Sequence, residues 1–320
     1  MLNTNRLSIT HLTPNLQGII FLVAGMFIFS LQNIAIKSIA DSYAVLEIVI
    51  IRSIIAIPCT LLFYRYEGGK GLPKTAQLPL ECLRGFLLFV SYNAYFMGLA
   101  ALPLADAAAI RFSSPLFLTF FSVIMLGELV GPRRWIALLI GFTGVLFIVQ
   151  PGSANFNIGT LFILAATILY TLSAIITRRL KTTDSSATIS YYGTLVYLVA
   201  AIILGPLVMS IGEIPNAHPS LAFLLRTWAM PTPIDLSIMI ALGFIWATGM
   251  YCVARAYSLA LASVAAPFEY TTLPINVMWG YLLWQEIPTW NTWLGAFLTI
   301  ATGIYILYRE QVKKDDRMQG

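Results

Sequence analysis

The sequence predicts an all-α membrane protein, with ten transmembrane helices arranged as two inverted five-helix repeats. Three observations carry that reading. The chain is 58% hydrophobic and 10% charged, with a mean hydropathy of +0.81. A soluble domain carries about 25% charged residues, so this chain has too little polar surface to face water all round. Its apolar residues also gather into ten segments, each close to the roughly 20 residues that cross a bilayer as a helix. Finally, AIRFSSPLFLTFFSVIMLGE in the fourth segment recurs without a gap, 158 positions later, as PFEYTTLPINVMWGYLLWQE.

The segments are Leu16–Ile36, Ala44–Tyr64, Leu80–Ala101, Leu104–Leu126, Arg133–Gln150, Ile158–Thr177, Thr188–Ile211, Ile234–Ser258, Ala262–Leu283 and Trp290–Tyr308. In lipid each is expected to be helical, because every backbone group must bond within its own segment. The ten-residue alternating strands of a membrane barrel are absent. The first segment is long and lacks a small-residue cleavage site, so it reads as a span rather than a removable signal. The first repeat runs over 16–150 and the second over 158–308, with a tail at 309–320. The linker Pro151–Asn157 is short, polar and uncharged. In the longest loop, LAFLLRTWAM reads either as a short interfacial helix anchored by Trp228 or as plain loop.

Charge placement gives the orientation. With the N-terminus inside, Arg6, Arg65, Lys70, Lys74, Arg133, Arg134, Arg178, Arg179, Lys181, Arg309, Lys313, Lys314 and Arg317 all fall on the inner side. Only Lys37 and Arg226 fall outside. This bias predicts cytoplasmic termini at both ends. It also accounts for the net charge of +5 without nucleic acid. Five spans per repeat is an odd number, so the second repeat must enter the membrane upside down. Cys59, Cys82 and Cys252 lie in or beside spans and read as reduced core thiols. His11 and His218 lie outside the spans and offer no metal-ligand spacing.

The repeat places Arg111 on Glu269, Phe112 on Tyr270, Ser113 on Thr271, Ser114 on Thr272, Glu128 on Glu286 and Trp135 on Trp293. Arg111 and Glu269 are opposite charges at matching depths. A charge at mid-membrane costs about 2.5–3.5 kcal/mol on insertion scales and marks a substrate or ion pathway by default. The plainer alternative is an ion pair that only neutralises two buried charges. Arg52 either lines the cavity or pairs with Glu47, although five residues apart puts those two on different helix faces. Arg84 and Arg255 sit nearer the cytoplasmic ends and are expected to snorkel, as is Lys37 outside. Arg255 also shares a polar face with Thr248, Tyr251 and Ser258. Gln32, Asn33, Tyr92, Asn93, Tyr95, Tyr170 and Ser173 add polar groups within spans, and Asn93 matches Tyr251 in the repeat. Such residues either contact cargo or hold helices together. Trp246, Tyr251 and Tyr270 are candidates for stacking on a flat substrate, or ordinary packing. Pro115, Pro267 and Pro274 fall inside spans, where each removes a backbone donor. No Ser/His/Asp set and no glycine-rich phosphate loop is present, so an enzyme is not expected.

On these residues the chain resembles the drug/metabolite transporter superfamily, in its EamA-type branch of ten-helix carriers. The resemblance rests on two halves of five spans, on LADAAAIRFSSPLFLTFFSVIMLGE with its repeat ASVAAPFEYTTLPINVMWGYLLWQE, and on Trp135 and Trp293 beyond them. It covers residues 16–308 and is specific for the superfamily but not for substrate. It implies secondary transport without a cofactor, at a cavity between the repeats that involves Arg111, Glu269 and Tyr270. APFEYT with its mid-span charge is similar to carriers of small metabolites, including S-adenosylmethionine and riboflavin-type carriers. The expected cargo is therefore a small polar or zwitterionic metabolite. An exporter of hydrophobic drugs is the alternative, and a lipid-modifying enzyme lacks the acids or histidines it would need. The bilayer is a partner, nucleic acid is not, and a homodimer is left open. The expected location is the bacterial inner membrane.

Overall fold

The computed structural model describes residues 14–126, 132–152, 156–180, 183–259 and 266–319. Arg6, His11, Glu128, Lys181 and the first residues of the ninth expected span, 262–265, lie outside them. Among the described residues the chain is helical and holds no strand. The helices are α1 (Pro14–Ile39), α2 (Val45–Tyr66), α3 (Leu78–Leu99), α4 (Leu104–Arg111), α5 (Ser114–Leu126), α6 (Pro132–Val149), α7 (Gly159–Leu180), α8 (Ser186–Met209), α9 (Pro219–Leu225) and α10 (Pro233–Leu259). A 3₁₀ turn at Ala266–Thr271 leads into α11 (Thr272–Trp284), and α12 (Trp290–Gln319) follows. Among the described residues, seven apolar stretches are long enough to cross a membrane, and Trp135–Val149 in α6 is a shorter apolar helix.

Local chemistry sets several of these boundaries. Asn157 Oδ1 accepts the Gly159 N–H at 2.8 Å and starts α7, while its amide donates to the Ala101 carbonyl at 2.9 Å. Ser185 Oγ accepts the Thr188 N–H at 3.2 Å and caps α8. These side chains satisfy donors that a helix start leaves open. In the long loop between α8 and α10, α9 covers only PSLAFLL. Trp228 lies beyond it and packs towards Gly205 of α8, so the tryptophan is not part of the short helix. Glu213 accepts the Thr227 N–H at 2.7 Å, and that bond holds its carboxyl below the usual range.

The helices pack across the two sequence halves. α3 lies on α7, α1 on α10, α2 on α8 and α6 on α12. The last pair is unusually close because of its glycines. A Cβ on Gly295 would come 2.5 Å from the Gly144 carbonyl oxygen, and one on Gly144 would come 2.9 Å from that of Gly295. Small residues of this kind let membrane helices approach backbone to backbone. The neighbours also exchange across the repeat. Gly141 faces Thr302 and Gly144 faces Thr299, and each threonine stands 158 positions beyond the other glycine.

The fourth span is interrupted. α4 ends at Arg111, and a turn at Phe112 and Ser113 precedes α5. Pro115 has no N–H with which to close on the Arg111 carbonyl. The Ser113 hydroxyl donates to Ile110 O at 2.7 Å. In the second repeat a 3₁₀ turn stands at the same register, leading into α11, which begins at Thr272, the repeat partner of Ser114. There the Thr271 hydroxyl donates to Phe268 O at 2.7 Å. Both atoms of that bond are the repeat partners of the first pair.

The expected snorkelling of Arg84 and Lys37 does not occur. Arg84 is 5% exposed; it donates through Nε to Thr177 Oγ1 at 2.7 Å and through a terminal nitrogen to Ile189 O at 3.1 Å. Glu81 stands 3.9 Å away on the next turn of its helix. Partners on α7 and α8 thus hold the guanidinium inside the bundle, where the sequence alone suggested a reach towards water. Lys37 bonds Glu286 Oε1 at 2.5 Å and the Leu102 carbonyl at 3.0 Å, with the Trp284 ring 5.1 Å away. The other oxygen of Glu286 accepts the Leu104 N–H at 3.0 Å and so caps α4. One carboxylate therefore ties α1, the start of α4 and the end of α11 together.

That junction carries a prediction. Lys37→Met strands the half-buried Glu286 carboxylate and is expected to lower stability by about 1–3 kcal/mol. The Lys37→Met/Glu286→Gln double variant should recover part of the loss. A thermal melt of the four proteins in one detergent measures the coupling, and additive losses would show that the pair contributes nothing as a pair. The three cysteines are free, but Cys82 is exposed and only Cys252 is buried, which corrects their common reading as core thiols.

Candidate functional site

The two matched turns meet inside the bundle. The rings of Phe112 and Tyr270, which are repeat partners, stand edge to face with centroids 4.9 Å apart. Arg111 is the last residue of α4 and Glu269 lies in the turn that precedes α11. The carbonyl end of a helix favours a cation, and its amide end favours an anion. The opposite signs of the two matched residues suit the helix ends they occupy.

Arg111 is gripped by aromatic rings. Its guanidinium lies 5.3 Å from the Tyr92 centroid, 4.9 Å from Tyr95 and 4.8 Å from Tyr170. α3 supplies the first two tyrosines and α7 the third. Cation–π contacts of this kind contribute about 0.5–2 kcal/mol each, more where water is excluded. The charge of Glu269 acts on Tyr170 and on Tyr270, so Tyr170 is within the field of both matched charges. Tyr95 is also hydrogen-bonded to Asn33 of α1, whose amide reaches Asn276 Oδ1 of α11 at 3.4 Å.

Arg52 occupies a second box. It is 1% exposed and faces Trp246 at 4.5 Å, Tyr197 at 5.4 Å and Phe96 at 5.8 Å. The Tyr197 hydroxyl donates to the Leu88 carbonyl at 2.7 Å. The pairing with Glu47 considered from the sequence is absent. The two boxes share walls, because Tyr92 lies 4.9 Å from Trp246 and 6.3 Å from Tyr197.

The remaining expected residues divide. Asn93 donates to Phe89 O in its own helix at 2.7 Å, while its Oδ1 lacks a partner. The Tyr270 hydroxyl is buried without a hydrogen bond and rests against Gly303 of α12. Gln32 Oε1 and Asn276 Nδ2 are also buried and unbonded. Tyr251 and Arg255 lie elsewhere. Tyr251 stacks on Phe63 with centroids 4.5 Å apart, and it lines a cavity of about 580 Å³ with Arg255, Gln17 and Tyr66, between α1, α2 and α10. Arg255 is exposed there. The side chain of Ser258, expected on the same polar face, lies outside the described ones.

Comparison with known proteins settles the family. The chain matches the EamA-like transporter family over residues 16–150 and 157–309. It belongs to that family. It is 25% identical over 296 residues to the S-adenosylmethionine uptake transporter of Rickettsia prowazekii, covering 92% of this chain and 94% of that one. It is 28% identical over 302 residues to the riboflavin transporter of Vibrio cholerae, covering 93% and 95%. It is 28% identical over 292 residues to the pseudopaline exporter of Pseudomonas aeruginosa, covering 91% and 93%. A solved crystal structure shares the fold with a TM-score of 0.61 at 15% identity, over 91% of this chain and 98% of its own. This EamA-family chain is a multi-pass membrane protein of the drug/metabolite transporter superfamily, a secondary transporter of small metabolites and not an enzyme.

The sequence pointed to Arg111, Glu269 and Tyr270 through the repeat. It did not point to Tyr197 or Phe96, nor to Glu286 as a cap. Those residues carry no mid-span charge and no spacing signal, and their roles arise only from helix packing.

Proposed function

We propose that this protein carries a small polar or zwitterionic metabolite, amino-acid-like or S-adenosylmethionine-like, by alternating access between two inverted five-helix repeats. The observation that carries the proposal is the pair of matched turns, one at the end of α4 with Arg111 and one at the start of α11 with Glu269. Discontinuous helices at a repeat interface form the substrate sites of many secondary carriers. The Phe112–Tyr270 contact and the exchanged Gly141–Thr302 and Gly144–Thr299 pairs are what a two-fold axis between the halves would produce. Arg111 suits a carboxylate and Glu269 suits an ammonium. The unbonded polar atoms of Gln32, Asn93, Tyr270 and Asn276 would gain hydrogen bonds to a polar cargo. A hydrophobic-drug exporter would be served by an uncharged aromatic cavity, which two boxed arginines do not provide. Tyr251 and Arg255 would serve the cytoplasmic approach to the site, not the site itself.

Uptake into proteoliposomes tests this reading, with S-adenosylmethionine and riboflavin as first probes and a panel guided by metabolite profiles of cells with and without the gene. Saturable, protein-dependent flux of a polar metabolite is the expected result. Flux confined to hydrophobic drugs would overturn it.

The same proposal places ten spans in the bacterial inner membrane with both termini cytoplasmic. Reporter fusions after Gly320 and within Gly212–Pro233 should then report opposite sides. The warrant is the basic bias, and a shared side would refute the topology.

A further inference from the structure

We infer that Arg52 is an anion subsite for the cargo, and that the cargo therefore carries a carboxylate or phosphate beside a flat ring. The inference rests on the carrier reading above and specifies its substrate class. Arg52 is fully buried, yet of the polar groups around its five N–H donors only the Tyr197 hydroxyl comes near, and Nε and both terminal nitrogens lack a well-formed hydrogen bond. No carboxylate among the described residues lies within ion-pairing distance of it. The nearest acid on its own helix, Glu47, stands five residues away on another face. An arginine cannot shed its proton in a protein, so the charge is permanent. Buried charges are otherwise paired, because leaving donors unmade in a dry interior is costly.

The surroundings do not supply that pairing. Phe96, Tyr197 and Trp246 offer ring faces. The Tyr197 hydroxyl, which donates to Leu88, offers the guanidinium a single neutral acceptor, and the Trp246 indole N–H points to Thr194 Oγ1 at 3.4 Å. The planar fork of a guanidinium matches a carboxylate or phosphate through two parallel hydrogen bonds, and the aromatic walls suit a flat ring attached to it. Arg84, by contrast, is equally buried but bonded to Thr177 and Ile189. The unmet donors thus single out Arg52. Its position two rings away from Arg111, through Tyr92 and Trp246, places the subsite on the edge of the proposed cargo site.

Thermal melts of the purified full-length protein in detergent test this without transport. Two probe pairs differ in the anion alone: flavin mononucleotide against riboflavin, and S-adenosylmethionine against its decarboxylated form. The wild type is expected to bind the anion-bearing member of at least one pair about tenfold or more tighter, as a charge-assisted bidentate contact allows. Arg52→Met keeps the length and apolar bulk of the side chain. It should erase that preference while melting, without probe, at or above the wild-type temperature, since an unpaired buried charge is replaced by an apolar group. Arg52→Lys should keep part of the preference.

Three results would overturn the inference: wild type indifferent to the anion in both pairs, Arg52→Met retaining the preference, or Arg52→Met melting several degrees lower with no probe present, which marks a packing role. Should proteoliposomes show no flux while the anion preference holds, the carrier reading fails and the subsite stands.

Discussion

Glu269→Gln is expected to abolish concentrative transport while leaving the protein inserted and its melting temperature within a few degrees of wild type. The substitution keeps the shape and removes the charge. The residue lies in the turn that opens α11, close enough to act on Tyr170 and Tyr270. A carrier converts cargo binding into motion only if the cargo binds its two states unequally. Coupling free energies of about 1–3 kcal/mol, or about 5–150-fold in affinity, are typical. Removing the charge that distinguishes the states should forfeit that coupling. Substrate-driven exchange and uphill uptake, measured side by side in proteoliposomes, read it directly. Arg111→Gln alone should also fail. If the Arg111→Gln/Glu269→Gln double variant transports normally, the two charges are structural and the proposed site is wrong.

Gly295→Ala is expected to be the most disruptive conservative change in the chain. In an isolated helix alanine is better than glycine by about 1 kcal/mol, so propensity predicts a gain. The packing predicts the opposite, because the new methyl would stand 2.5 Å from the Gly144 carbonyl oxygen. Backbone on the facing helix cannot rotate away, and overpacking of this kind costs about 1–3 kcal/mol or more. Gly141→Ala is the control. Its neighbours are the Leu116 methyls and the Thr302 hydroxyl, which can move, so its loss should be smaller. Size-exclusion profiles and melting curves of the two variants decide it. Equal stability of Gly295→Ala and wild type would mean that α6 and α12 are not held at backbone contact.

Much of the architecture was legible because the bilayer imposes simple rules. Long apolar runs are helices since no water is available to satisfy an open backbone, and that constraint acts on each segment separately. The repeat was legible for a similar reason. FSS at 112–114 and YTT at 270–272 keep small hydroxyl residues at one register, and both sets form a turn there with the same hydroxyl-to-carbonyl bond. The interruption itself was not foreseen as a break. Prolines inside a span are compatible with a kink as well, and the choice depends on whether neighbouring groups accept the freed backbone. Lys37 and Arg84 were misjudged because snorkelling depends on having no better partner within reach. Glu286 lies 249 residues from Lys37, and Thr177 lies 93 from Arg84; nothing local signals either.

The sequence by itself determined the membrane class, the helical character, the duplicated charge-bearing motif and the family, since each depends on composition, local periodicity or similarity along the chain. The tertiary structure alone decided what each buried charge faces. Arg111 meets tyrosines from α3 and α7, and Arg52 meets rings from α3, α8 and α10. A guanidinium placed mid-membrane will bind whatever donors, acceptors or rings the packing brings within about 6 Å. That set is fixed by how helices from both halves rotate against one another to bury their small and aromatic faces, which no single segment encodes.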